Sequence, residues 1–431
     1  MSIYDYQQAF GAWDKTSRAM RKAVKGWFDA YYDSQPTKEH DPCQRIAYTV
    51  VSKLTKTVFG EYTLSAADPF VASVMAALDA HAKTALQLAL VGGECYIKPC
   101  PTEQGFSFTL IPRSNVLVFA RNADGQPTDI GTVERSAGGK YYYTLLERRS
   151  VDEKGMLTIQ NRLFRSLNDR NLGSAVPLRT HPDYAHLPDA YTYGSPVGSV
   201  GLVRMKTPML NCVDGSPDGV SVYAAAMGLI RSIDRNEAQL SGEFDRGESR
   251  IIVSSDMLRQ DGLRDHLFVG LDEDPEHVGL TVFAPQLRHQ SFLERKQEYL
   301  RNVESLIGLK RGMLSDANVE ERTATEITSS AGDYSLTVMD FQDMWQQAAR
   351  QTAQLCCKLA ALYNIARPES DSISIDWGNG VLYDQDKTWA DYKDMVSSGL
   401  IKPEIALGWR FNMPADTEEQ LQAIRSRFMP Q

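Results

Sequence analysis

One stretch limits what this chain can become: Arg322–Tyr363, RTATEITSSAGDYSLTVMDFQDMWQQAARQTAQLCCKLAALY. Ile327, Ala331, Tyr334, Val338, Phe341, Met344, Ala348, Thr352, Leu355, Leu359 and Leu362 recur at steps of three or four, the spacing of one helical face. No proline interrupts the run, and Gly332 costs only about 1 kcal/mol relative to alanine. One helix is therefore predicted. Thr323 or Thr325 caps it by accepting from free backbone N–H groups, and Glu326 in its first turn is favoured by the helix dipole. Gly332 lowers helix preference between the start and the body, so a kink is expected there. At about 1.5 Å per residue the helix exceeds roughly 50 Å, whereas ordinary globular helices have about three or four turns. Something large has to be built along it.

With 431 residues the chain can bury a sizeable core and divide into two or more domains. Its 42% hydrophobic and 23% charged content is that of a soluble folded protein and not of a disordered one. A formal charge of −9 argues against a general nucleic-acid binder, which carries a basic excess. It is compatible with a wall past which DNA slides without sticking. Cys43, Cys95, Cys100, Cys212, Cys356 and Cys357 are too irregularly spaced for a disulfide framework, and adjacent Cys356 and Cys357 leave a helix in different directions. Buried free thiols and a reducing compartment are expected. MSIYDYQQAF lacks the basic-then-apolar pattern of a signal peptide, and no apolar run is long enough for a membrane helix. Synthesis and folding in a cytoplasm are the expectation.

Along the chain, Tyr4–Tyr32 reads as one amphipathic helix with Phe10, Trp13, Met20, Val24, Trp27 and Tyr31 on a stripe. Arg18, Arg21, Lys22 and Lys25 make it locally basic, either as a solvated face or as a contact for an acidic neighbour or nucleic acid. Cys43–Phe59 and Pro69–Leu90 read as two further helices, the second stopped by Gly92–Gly93. From Glu94 to about Arg165 the period becomes two. CYIKPCP, FSFTLIP, VLVFAR, IGTVER, YYYTLLERR and LTIQNRLFR form an antiparallel sheet region punctuated by NADGQ, SAGGK and DEKG. Residues 168–199 read as a long loop, and 201–210 as another strand. A helix is expected from Val220 to about Asp245, then the β-rich pieces SRIIVSS, DHLFVGL and GLTVFAP, then a helix over Gln286–Leu309. KRGMLSDANVEERT (310–323) is a polar break before the long helix, and the strand SISIDW, a helix at Lys387–Ser397 and a short helical tail follow it.

Catalytic patterns are missing: no phosphate-binding lysine loop, no dinucleotide glycine spacing, no G-x-S-x-G elbow, no H-E-x-x-H. LDEDPEHVG (271–279) only faintly echoes a calcium loop, without its glycine and terminal glutamate. His181, Asp183, His186 and Asp189 are the nearest approach to a metal cluster, and carry the alternative reading of a metal-dependent enzyme acting on nucleic acid or phosphate esters. Residues of these types in a proline-rich loop are more often ordinary surface. The weight falls on a structural protein with no catalytic residues, no metal and no cofactor.

Three strings in a fixed order carry a resemblance: ALVGGECYIKP (89–99), DGSPDGVSVYAAAMGLIRSID (214–234) and RTATEI (322–327). With the order helix, small β-rich insert, helix, polar loop and very long helix over 220–363, they resemble the portal proteins of tailed bacteriophages, especially long-tailed phages of Gram-positive hosts. The resemblance runs from about residue 40 to 410. It implies an α+β portal fold with a helical/β wing, a two-helix stem, a small α/β clip, a long kinked spine helix and a short helical crown. The implied boundaries are 1–215 for the wing, 216–246 for the first stem helix, 247–286 for the clip and 287–309 for the second stem helix. Residues 310–323 become the tunnel loop, 324–363 the spine helix, and 364–431 the wing return and crown. The crown is shorter than in longer family members.

The resemblance further implies a non-enzymatic homo-oligomeric ring, twelve subunits in the virion, at the capsid portal vertex. Double-stranded DNA passes through it without sequence specificity in packaging and ejection. The implied partners are the terminase large subunit, a head–tail adaptor, and the major capsid and scaffolding proteins; no membrane is involved. Candidate channel residues on the loop are Lys310, Arg311, Asn318 and Arg322; Arg288, Arg295, Lys296 and Arg301 form a candidate basic face of the stem; and Thr323, Thr325, Glu326 and Gly332 are cap and hinge. Independently of the resemblance, 286–311 holds those six cations before residue 312 against Glu294, Glu298 and Glu304, a locally basic segment in an acidic chain. Repeated around a ring, it could touch phosphates regardless of sequence. The competing reading pairs these cations with acids of their own helix at i,i+4 spacing.

Overall fold

A computed structural model describes residues 9–32, 42–103, 105–246, 250–254, 268–271, 281–283, 288–316, 324–378, 385–411, 413, 415 and 417–429. The chain begins with helices: α1 (Arg18–Tyr32), α2 (Ile46–Val58), α3 (Pro69–Asp79) and α4 (Ala82–Gly92), with a short strand β1 (Thr63–Ala66) between the second and third. The apolar stripe of α1 is buried at Met20, Val24 and Trp27. The single helix predicted over residues 4–32 does not form. Residues 11–17 are non-helical: Lys15 donates its backbone N–H to the Val118 carbonyl, and the Asp14 carboxylate accepts from the N–H groups of Thr16 and Val118. The segment thus pairs with a strand edge in place of continuing its own helix, and Trp13, placed on the stripe by periodicity, is 69% exposed. The predicted Pro69–Leu90 helix is two, broken at Ala80–His81. Asp68 caps the first of them, accepting from Phe70 and Val71, with Pro69 as its first residue.

The period-two region yields all six expected strands, β2 (Glu94–Pro101), β3 (Phe106–Pro112), β4 (Val116–Arg121), β5 (Pro127–Gly138), β6 (Tyr141–Val151) and β7 (Leu157–Ser166). They divide between two sheets. The long loop 168–199 contributes two short strands, β8 (Ser174–Val176) and β9 (Ala190–Thr192), and β10 (Val203–Lys206) follows. One sheet runs β10-β2-β3, and the other runs β4-β5-β6-β7-β8 with β9 also on β7. The split falls at Arg113–Asn115, a turn of 3₁₀ helix whose Arg113 is buried.

Helix α5 (Met227–Arg246) starts later than the expected Val220. Residues 220–222 are instead tied to the end of α4, where the Leu90 carbonyl accepts from both the Val222 N–H and the Ser221 hydroxyl. Strands β11 (Arg250–Ser254), β12 (Phe268–Leu271) and β13 (Thr281–Phe283) make a small sheet in the order β12-β11-β13, parallel on one side and antiparallel on the other. Helix α6 (His289–Ile307) returns beside α5, and α7 (Ala324–Tyr363) is the long helix, 40 residues and unbroken through Gly332. It starts at Ala324, so Thr325 and Glu326 stand inside its first turn and Thr323 lies outside the described residues. Strand β14 (Ile373–Asp376) pairs antiparallel with β1, and α8 (Gln385–Ser397), α9 (Pro403–Arg410) and α10 (Glu418–Phe428) close the chain.

Helix α7 changes character along its length. Up to Thr337 no side chain described is fully buried, and Leu336 is 63% exposed. From Val338 onward Phe341, Met344, Trp345, Ala348, Ala349, Thr352, Ala353, Leu355, Cys356, Leu359 and Ala360 are buried. Apart from Thr352, these residues share one continuous core with the apolar faces of α1 to α6 and of the β10-β2-β3 sheet. Trp345 is fully buried edge-on to Phe59, and its indole N–H donates to the Tyr62 hydroxyl at 3.0 Å. All six cysteines are free, with Cys95 and Cys356 buried, but Cys212 is exposed, against the expectation of burial. Burial pushes the Cys95 thiol up to about 12 and the Cys357 thiol to about 11. No helix among the described residues is long and apolar enough to cross a membrane.

Candidate functional site

The segment with the cationic excess is α6 and the loop after it, and the structure gives most of its cations specific partners. On the α6 side facing α5, Arg288 makes a two-pronged pair with Glu243, Nε–Oε1 at 3.0 Å and Nη2–Oε2 at 2.8 Å. Lys296 reaches Glu237 at 3.0 Å and the Gln44 amide oxygen at 2.7 Å. Arg295 donates to the Asn236 and Gln239 amide oxygens, both at 2.7 Å. Arg301 stays within its own helix, 3.8 Å from Glu298 at i,i+3. The expected alternative of i,i+4 pairing is replaced by pairing across two helices. Arg288, Arg295 and Lys296 thus form a polar seam between α5 and α6, while Arg288 and Arg295 remain exposed.

Asn236 is the centre of that seam. It sits at a core position of α5, in step with buried Ile233 and Leu240, and is 1% exposed. Its amide nitrogen donates to the Phe292 carbonyl at 3.0 Å while its oxygen takes the Arg295 Nε–H. A buried amide is tolerated only with such partners, and these fix which turn of α5 meets which turn of α6.

At its C-terminal end α6 holds the next segment. Gly308 caps the helix in the left-handed region, and any Cβ there would run into Thr337 Oγ1 on α7. Four residues earlier the Glu304 side chain is 1% exposed. Its Oε1 accepts the backbone N–H groups of Gly312 at 3.1 Å, Leu314 at 2.5 Å and Ser315 at 2.9 Å, and its Oε2 accepts the Ser315 hydroxyl at 2.8 Å. Gln297 Oε1 accepts the Asp316 N–H at 2.8 Å. Lys310 and Arg311 are exposed on this anchored segment, whereas Asn318 and Arg322 lie outside the described residues.

A second cluster lies where two of the motif strings meet. Gly93, with φ +80°, packs directly on the Gly219 backbone, so that a Cβ on either would collide with the other's main chain. Beside them Glu94 accepts from the Gly219 N–H at 2.6 Å, pairs with Arg204, lies 3.5 Å from Arg113, and accepts from the Tyr96 hydroxyl at 2.9 Å. Asp218 takes Arg113 at 3.1 Å and Arg121 at 2.5 Å. Burial would push the Glu94 carboxyl up, but Arg204 and Arg113 hold it down at about 2. These charges are spent on one another, which suits a joint and not a catalytic centre.

The proline-rich loop builds no metal site. His181 is buried between the rings of Tyr143 and Tyr184, with Asp183 at 3.8 Å, while His186 and Asp189 are exposed. No group of three or more His, Cys, Asp or Glu side chains converges as metal ligands among the described residues. Residues 272–279 of the acidic stretch lie outside them. Glu304, Asn236 and the Glu94 cluster were not singled out by the sequence patterns. Asn236 carried a signal as an amide on an apolar stripe, and the Glu94 cluster lay partly inside two of the quoted strings; the loop amides that meet Glu304 leave no trace in side-chain periodicity.

Helices wrapped on antiparallel sheets, a helix pair bracketing a small mixed sheet, and one very long helix are consistent with a structural protein of the phage-portal class. Residues 135–427 match the family model described as "Phage portal protein, SPP1 Gp6-like", and the chain belongs to that family. The matched range begins inside β5, so the family match leaves out α1 to β4. No curated protein matches the chain.

Proposed function

We propose that copies of this chain assemble as a closed ring, twelve in the virion, through which double-stranded DNA enters the capsid during packaging and leaves at ejection. In this reading residues 1–215 form the wing, 216–246 and 287–309 the stem, 247–286 the clip, 310–323 the tunnel loop, 324–363 the spine, and 364–431 the wing return and short crown. The observation that carries it is the sequence of α5, the β12-β11-β13 sheet, α6, an anchored loop and α7, all within the family-matched range. The clip and stem side docks the terminase motor and later the head–tail adaptor, and the outer surface meets capsid and scaffolding proteins. Gly332 serves as the hinge of the spine, and Lys310 and Arg311, with Asn318 and Arg322, face the DNA. The resemblance to portals of long-tailed phages of Gram-positive hosts suggests the same kind of virion. Purified protein is expected to give a ring mass by mass photometry and a rotationally symmetric annulus by electron microscopy. A species that stays monomeric at every concentration and salt tested sinks the proposal.

A further inference from the structure

The contact between Glu304 and residues 312–315 brings a whole carboxylate out of water with no cation paired to it among the described residues. A buried carboxylate is costly unless donors meet its charge, and here they all come from one short segment. Three main-chain N–H groups converge on one oxygen, a backbone concavity of the kind that holds anions. The segment is fastened at two further points. Leu309 N–H donates to the Glu304 carbonyl at 2.8 Å, and Gln297 holds the Asp316 N–H. Residues 309–316 are thereby folded back along the last turns of α6. Lifting them away would leave the charge of Glu304 without its donors.

We propose that Glu304 is a positioning residue for DNA passage: its carboxylate clasps the start of the 310–323 loop to α6 and so sets where Lys310 and Arg311 stand. The role rests on the reading of that loop as the channel-facing loop, while the clasp itself is a property of the chain. Its consequence is that helix α6 and the first half of the loop move as one body, and any change in the tilt of α6 is carried to Lys310 and Arg311.

The test uses full-length protein assembled as rings. In wild-type rings the amides of Gly312, Leu314 and Ser315 exchange hydrogen at least about tenfold more slowly than free amides, as expected for bonds to a charged acceptor. Glu304→Gln keeps the size and one acceptor oxygen but removes the charge. It is expected to release those three amides by about tenfold or more, to leave the α5, α6 and α7 amides and the ring mass unchanged, and to lower DNA packaging. Ser315→Ala, which removes only the hydroxyl partner, gives a smaller release and keeps the proposal testable should Glu304→Gln fail to fold. The decisive arm is the Lys310→Ala, Arg311→Ala background. If Glu304 acts through these two residues, adding Glu304→Gln there lowers packaging no further. Unprotected wild-type amides overturn the clasp, and additive losses overturn the positioning role. Full packaging by the Lys310→Ala, Arg311→Ala parent overturns the channel reading instead, even with the exchange pattern intact.

Discussion

Gly93 and Gly219 touch backbone to backbone across 126 residues of chain, with Gly93 in the left-handed region at φ +80°. The contact lets the loop before α5 lie flat on the end of α4, where Glu94 takes the Gly219 N–H. Alanine at Gly93 faces two costs at once, a strained φ and a main-chain overlap, together about 2–5 kcal/mol. Alanine at Gly219 faces only the overlap and is expected to cost less. Alanine at Gly215, where φ is +69° but nothing lies within 4 Å of an added Cβ, isolates the left-handed strain from the overlap and is expected to lose least. Denaturant midpoints of the three variants should rank in that order; equal losses would remove the contact from the account.

The seam between α5 and α6 is expected to answer to stability and not to phosphate. Asn236→Ala takes the amide donor from the Phe292 carbonyl and the acceptor from the Arg295 Nε–H in one step, a loss of about 1–3 kcal/mol. Asn236→Asp keeps an oxygen for Arg295 but sets its other oxygen against the Phe292 carbonyl in place of the amide N–H, so it is expected to destabilise as well. Arg288→Ala should change little, because the Arg288 side chain is 72% exposed and surface pairs contribute weakly. Thermal melting at two salt concentrations separates these cases. Should Arg295→Ala leave stability untouched but flatten the salt dependence of DNA passage, the seam reading is wrong and the phosphate-facing one returns.

Two buried carboxyls set the acid limit. Burial raises and neighbouring cations lower the pKa of each, and the cations win: Arg204 and Arg113 hold Glu94 at about 2, and Arg149 and Lys98 hold Glu147 at about 2, from ordinary values of 4.5. A carboxyl with a depressed value in the folded protein contributes stability that is complete above its unfolded value and is lost as pH falls toward the folded one. Stability from these two groups is therefore constant above about pH 4.5 and drains away between there and about pH 2. Melting temperatures across that window test it. Glu147→Gln should lower stability at neutral pH and make the acid slope shallower; a slope identical to wild type would assign the acid loss elsewhere.

How far the sequence spoke depended on the range of the interactions concerned. Helix α7 and strands β2 to β7 were legible because local periodicity alone specifies them, and Gly92–Gly93 ended α4 where turn chemistry said it would. Four features were not. The Gly11–Ser17 break needs Val118 as a partner, β1 needs Ile373–Asp376 from the far end of the chain, and the delayed start of α5 needs the Leu90 carbonyl. The fourth, the division of the strands into two sheets, turns on buried Arg113, whose guanidinium reaches Asp218 and Thr16. At the site the pattern was similar. The cationic excess of α6 was plain to read, but its direction was not, because Glu237, Glu243, Asn236 and Gln239 lie on another helix. Glu304 looked like one more surface acid because its partners are main-chain amides.

Arg288 and Lys296 pair with α5, whereas Lys310 and Arg311 stand beyond the end of α6. Lys310 and Arg311 are exposed and sit on the segment that Glu304 and Gln297 hold in place. Replacing both by alanine removes two positive charges per subunit at a position repeated around the proposed ring. The effect on folding should be small, because exposed side chains contribute little to stability. The ring mass is expected to match wild type, whereas packaged DNA per particle should fall and the fall should deepen as salt is lowered, where unscreened phosphate contacts matter most. Replacing Lys296, whose side chain is 23% exposed and pairs with Glu237, supplies the contrast, since that change should cost stability first. If the Lys310→Ala, Arg311→Ala rings package DNA as wild type does at every salt concentration, these two residues do not face the channel, and the functional reading of the loop at the head of α7 fails while the family assignment stands.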